Sequence, residues 1–139
     1  ISLSLKRMNV EPLDLLQFHW WDYNNANYLD ALTYLSELRD EGRIKHVALT
    51  NFNTEHLKRI ADNGIRIVSN QVQFSLVDLR PKVQMVEYCK EHNIQLLTYG
   101  TVCGGLLSEK YLGQPEPEGD GEDARLGYGA YLEGCYRHA

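Results

Sequence analysis

Four short apolar runs alternate with amphipathic segments along this chain, and that alternation restricts the possible folds more than any other feature. Leu13 to Trp21, Lys45 to Asn51, Ile65 to Val72 and Ile94 to Tyr99 read as strands. Between them lie three helical segments. The first, Tyr28 to Glu41, carries Tyr28, Ala31, Leu32, Leu35 and Leu38 on one stripe. The second is capped by Asn53 or Thr54 and turns Leu57, Ile60 and Ala61 inward. The third begins at Pro81 and buries Val83, Val86 and Cys89. No hairpin signal joins neighbouring strands directly, so they must pair in parallel through right-handed crossovers. Helix-to-strand connections are short and punctuated by Gly42, Asn63-Gly64 and His92-Asn93. Strand-to-helix connections are longer and carry polar and aromatic residues. In barrel and doubly wound folds that asymmetry separates a stabilising rim from a chemical one.

The first strand is the most informative. Its apolar run predicts a parallel strand covered on both faces. Period-two geometry puts Leu13, Leu15, Gln17 and His19 on one face, and Asp14, Leu16 and Phe18 on the other. His19 then lies at the strand's carboxyl end with Trp20 and Trp21 beyond it. Such an imidazole suits a functional rim, and the same residues equally suit a structural histidine beside core tryptophans.

Length and charge exclude several classes. With 139 residues the chain has the size of one ordinary domain. A net charge of −5 provides no basic field for nucleic acid or anionic membrane. No apolar run is long enough to span a bilayer. Cys89, Cys103 and Cys135 have no CxxC spacing, and an odd count argues against a disulfide framework. A reducing compartment, the cytoplasm by default, is the corresponding expectation. Cys89 falls on a helix stripe as a packing residue, whereas Cys103 falls in a loop beside the candidate site. Ser2 to Met8 reads as the last turns of a helix, stopped before Pro12, and the opening looks like the middle of something longer.

Gln114 to Asp123 is acidic, rich in Pro and Gly, and free of apolar residues, which predicts a loop or disorder. Leu126 to Tyr136 adds spaced aromatics in a Gly-rich setting that would suit docking on a surface or partner. The chain therefore divides into a folded part, 1–113, and a tail, 114–139.

On the chemical rim, four strand ends collect His19-Trp20, Thr50-Asn51, Asn70-Gln71 and Tyr99-Gly100. An imidazole, side-chain amides and a phenol suit a flat, polar, aromatic ligand. The histidines are scattered without metal-ligand spacing, so no metal site is expected. GxGxxG, Walker A and nucleophile-elbow patterns are absent. Taken singly, Asn51 and Asn70 suit turn caps, Gln71 a satisfied core amide and Tyr99 ordinary packing.

Four blocks in order, LDLLQFHWW, GRIKHVALTNFN, VSNQVQFSLVD and LLTYGTVCGGLLSEKYLG, resemble consecutive segments of the aldo-keto reductase family. The resemblance runs from about Ser2 to Gly113 and covers roughly half of that family's (β/α)8 TIM barrel, strands four to seven with their helices. It implies carbonyl reduction by hydride transfer from NADP(H). It also implies that His19 orients the substrate carbonyl and Trp20 lines the substrate pocket. Thr50, Asn51 and Gln71 would hold the nicotinamide carboxamide, and Tyr99 would stack on its ring. Gly100 to Leu106 would border the pyrophosphate.

The resemblance also departs from the family pattern. The family's catalytic tyrosine, lysine and aspartate come from strands preceding the histidine strand, and no tyrosine here matches that position. No phosphate motif surrounds Arg125 or Arg137. The chain alone is thus expected to be inactive, either as part of a reductase or as a pseudoenzyme serving a larger complex as a structural or regulatory subunit. An enzyme assembled from two half-barrels is a third reading. An unclosed barrel leaves two sheet edges exposed, so a protein partner or self-association is expected to cover them.

Overall fold

Among the described residues four strands pair in parallel, in the spatial order β1-β2-β3-β4, which is also their order in the chain. The structure is a computed structural model that describes residues 1–105 and 107–114. Its elements are α1 (Ser2–Met8), β1 (Leu13–His19), α2 (Tyr28–Asp40), β2 (Ile44–Thr50), α3 (Thr54–Asp62), β3 (Ser69–Gln73), α4 (Arg80–Val83), α5 (Met85–Glu91) and β4 (Gln95–Tyr99). Two 3₁₀ turns follow at Cys103–Gly105 and Glu109–Tyr111. The predicted strand–helix rhythm is therefore realised, while the tail from residue 115 lies outside the described residues. No described helix is long and apolar enough to cross a membrane.

The core lies between the sheet and its helices. Val47, Leu49 and Val72 from the strands meet Leu32, Leu57, Ile60, Met85 and Cys89 from the helices. Phe52, just beyond β2, is fully buried and contacts Phe18, Tyr23, Tyr28 and His56 through its ring.

The expectation that β1 is covered on both faces is corrected. Leu16 and Phe18 pack against the core, but Leu15 on the opposite face is 43% exposed, and Leu97 of β4 is 39% exposed. Among the described residues the helices cover one face only, because consecutive right-handed crossovers all place their helices on the same side.

Three further expectations shift. The third strand begins at Ser69, not Ile65, since Ile65 and Ile67 are drawn into the core from an extended approach. The helix after Pro81 is interrupted at Gln84 (φ −140°), so Val83 is 80% exposed and leaves the buried stripe that Cys89 occupies. Ala61 is exposed, while Leu57 and Ile60 face inward as expected. Of the two candidate caps, Asn53 performs the capping: its side chain accepts from the His56 N–H at 2.9 Å.

The loop from β3 to α4 is fastened by polar bonds. Ser75 Oγ accepts from the N–H groups of Asp78 (3.0 Å) and Val77 (3.3 Å). The Asp78 carboxylate then takes a two-point contact from Arg80, Nε to Oδ1 at 2.9 Å and Nη2 to Oδ2 at 2.7 Å. These bonds hold the Asp78 carboxyl below its usual range, the Arg80 side-chain hydrogen bond being the largest cause.

Two stability results are expected. Leu49→Ala should cost about 2–5 kcal/mol in urea unfolding, whereas Leu15→Ala on the open face should cost under about 1 kcal/mol. Equal losses would mean that the open face is packed in solution. Asp78→Asn should cost about 1 kcal/mol at pH 7, the low end for a charged hydrogen bond because the Arg80 side chain is 40% exposed. A depressed folded-state pKa contributes stability above the unfolded value near 3.9 and loses it as pH falls through the folded value. The difference between wild type and Asp78→Asn should therefore shrink in unfolding measured near pH 3, and a constant gap would refute the assignment.

Candidate functional site

Strand register, rather than strand ends, assembles the candidate residues. His19 pairs with Thr50, Thr50 with Gln71, and Gln71 with Leu97. Residues paired in this way share a face of a parallel sheet. His19, Thr50 and Gln71 thus form one row across three strands on the face that the helices leave open. Tyr99 lies two residues beyond Leu97, in the next row with Gln73. The sequence placed Asn70-Gln71 at a strand end, but β3 continues to Gln73, so Gln71 sits within the sheet.

Asn51 connects the row to Tyr99. The chain turns sharply at the end of β2, and Asn51 adopts φ 62°, a left-handed conformation that asparagine accepts more readily than most residues. Its N–H donates to the Gln71 carbonyl at 2.8 Å. Its Oδ1 accepts from the Tyr99 hydroxyl at 2.9 Å. The Tyr23 hydroxyl donates to its carbonyl at 2.9 Å, with the Thr50 carbonyl at 3.4 Å. Burial, with the neighbouring Tyr99 phenol, pushes the Tyr23 hydroxyl up to about 12, so it remains a donor at ordinary pH.

Trp20 points the other way. Its indole packs on the helix-side core and stacks with Phe18 at 5.8 Å and Trp21 at 5.1 Å. Its Nε1–H donates to the Asp22 carbonyl at 2.8 Å, which closes the loop after β1. Cys103, expected beside the site, is buried, with its thiol 3.7 Å from Ser75 Oγ. Gly100 to Gly105 follows directly on Tyr99.

Two residues mattered more than the sequence suggested. Tyr23 lay unremarked in a polar loop. Asn70 is fully buried, and its amide spans the Phe52 backbone, Nδ2 donating to the carbonyl at 2.7 Å and Oδ1 facing the N–H at 3.4 Å. A polar residue inside an apolar strand was the available signal for Asn70; for Tyr23 there was none.

A cavity of about 330 Å³ opens beside the row, with Asn51, Tyr99, Gln73, Phe52, Met85 and Arg80 in its wall. His19, Thr50 and Gln71 do not line it; Asn51, bonded to Gln71 and to Tyr99, joins the row to the cavity wall. Paired amides and hydroxyls can bind a flat group bearing its own amide, since each side chain offers a donor and an acceptor. Among the described residues, no group of three His, Cys, Asp or Glu is placed to hold a metal.

Comparison with known proteins agrees with this architecture. The Aldo/keto reductase family model matches residues 1–135. Flagellar radial spoke protein 5 of Chlamydomonas reinhardtii is 33% identical over 132 residues, which cover 84% of this chain and 25% of that protein. The holo form of aldo-keto reductase AKR11C1 from Bacillus halodurans superposes with a TM-score of 0.71 at 26% identity, covering 95% of this chain and 43% of that one. An NADPH complex of a Gox0644 mutant superposes with a TM-score of 0.65 at 30% identity, covering 81% and 41%. The chain thus spans less than half the length of each of these relatives. Its parallel four-stranded sheet with helices matches part of the α/β barrel of these reductases, and the chain belongs to the Aldo/keto reductase family.

Proposed function

We propose that this chain supplies the part of a reductase barrel that receives the nicotinamide end of NADP(H). One observation carries the reading: His19, Thr50 and Gln71 stand in register on one row, with Asn51 bonded to both Gln71 and Tyr99. Thr50, Asn51 and Gln71 bind the carboxamide through complementary donors and acceptors. Tyr99 provides an aromatic face at the edge of that group. His19, one strand away, directs a hydrogen bond at the substrate carbonyl, and Trp20 supports the neighbouring loop at the substrate side. Bound nicotinamide supplies the hydride, and these side chains bind and orient it. The NADPH complex of the Gox0644 relative supports the choice of cofactor.

Carbonyl reduction also needs a proton donor. In the family resemblance that donor is a tyrosine tuned by a lysine and an aspartate, from a part of the barrel not represented among these strands. Reductase turnover is accordingly assigned to a complete barrel, and binding to this chain. A structural or regulatory role in a larger complex is a second reading, favoured by the likeness to a radial spoke protein. The open sheet face, with Leu15 and Leu97 exposed, offers such a complex a surface.

Nicotinamide fluorescence decides between the readings. Titrating the chain with NADPH should give saturable binding, weakened about tenfold in Gln71→Ala by loss of hydrogen bonds. No turnover should accompany binding when a reactive aldehyde is added. Absent binding would overturn the cofactor reading and leave the structural one, whereas full turnover would require a proton donor within this chain.

A further inference from the structure

We propose that Tyr23 is a positioning residue for this site: its hydroxyl, bonded to the Asn51 carbonyl, holds Asn51 in the turn that aims the Asn51 amide at a nicotinamide carboxamide. This rests on the cofactor reading above and adds to it a residue from the loop between β1 and α2.

Asparagine accepts φ 62° more readily than most residues, but extended backbone still competes with it, and its surroundings must favour the turn. Three bonds do so at Asn51, and each fixes a different part. The backbone N–H is tied to the Gln71 carbonyl at 2.8 Å. The side-chain Oδ1 is tied to the Tyr99 hydroxyl at 2.9 Å. The carbonyl is tied to the Tyr23 hydroxyl at 2.9 Å. With Oδ1 occupied by Tyr99, the amide N–H groups of Asn51 are the part of its side chain left for a ligand carbonyl. Their direction depends on the backbone turn, and a return to extended conformation would swing the peptide after Asn51 and carry the side chain with it. The Tyr23 bond opposes that rotation.

Packing sets the Tyr23 hydroxyl in place before any ligand arrives. Its ring meets Phe52 edge-on at 5.2 Å and 87°, and lies 5.1 Å from His56. Tyr23 is therefore anchored in the aromatic core at one end and bonded to the site at the other. Tyr28 provides an internal control. Its ring meets the same Phe52 at 5.6 Å, yet among the described residues its hydroxyl has no hydrogen-bond partner.

The test compares Tyr23→Phe with Tyr28→Phe in the full chain by two readouts. The first is the NMR backbone and side-chain amide signals of Asn51 without cofactor; the second is the NADPH fluorescence titration. Tyr23→Phe should displace or broaden the Asn51 signals and weaken NADPH binding about fivefold to tenfold, the loss of one hydrogen bond. Tyr28→Phe should leave both unchanged. Asn51 signals unmoved by Tyr23→Phe would overturn the proposal, as would equal weakening by the two variants, which would point to aromatic packing instead. If wild type fails to bind NADPH, the cofactor reading falls, and the Asn51 signals alone decide whether Tyr23 holds the turn.

Discussion

The buried amide of Asn70 is the contact on which the site and much of the core depend. Direct pairing between β2 and β3 covers only Leu49 with Asn70 and Thr50 with Gln71, the shortest ladder in the sheet. Beyond it the Phe52 backbone enters the core, where an unpaired N–H or carbonyl carries a penalty of about 1–3 kcal/mol. Asn70 meets both groups, so the chain can leave β2 without orphaning them. Phe52 is thereby set among Phe18, Tyr23, Tyr28 and His56, and Asn51 is turned toward the rim. Replacing that amide with an apolar group of the same size would fill the space and still leave the Phe52 peptide groups without partners.

One-sided coverage follows from the same topology that creates the row. A single direction of crossover stacks the helices on one face, which buries Leu49, Leu57 and Ile60 and leaves Leu15 and Leu97 exposed. The uncovered face carries His19, Thr50 and Gln71, whose polar side chains tolerate water. In a closed eight-stranded barrel that face becomes the interior. The same surface that would be interior in a complete barrel is thus an open face in these strands, with polar side chains beside the exposed Leu15 and Leu97.

Much of the fold was legible because it rests on local rules. Alternating apolar runs identified all four strands, and asparagine or glycine at element ends marked the turns at Gly42, Asn53 and Gly64. The errors arose where tertiary packing outweighed local pattern. Ile65 and Ile67 are as β-prone as any strand residue, but they fill the core before β3 begins. Val83 fits a helical stripe until the break at Gln84 turns it to solvent. Leu15 belongs to an apolar run, and no run by itself discloses whether a second layer will cover it.

The sequence by itself determined the α/β alternation, the parallel pairing and the residue types gathered at one rim, since periodicity and turn chemistry act over a few residues. Only the tertiary structure decided the register that aligns His19 with Thr50 and Gln71, the direction of Trp20 and the bond from Tyr23 to Asn51. The register rests on pairs 31 and 21 positions apart, and the Tyr23 bond on residues 28 apart, where loop entropy and packing choose the partner and local propensity has no say.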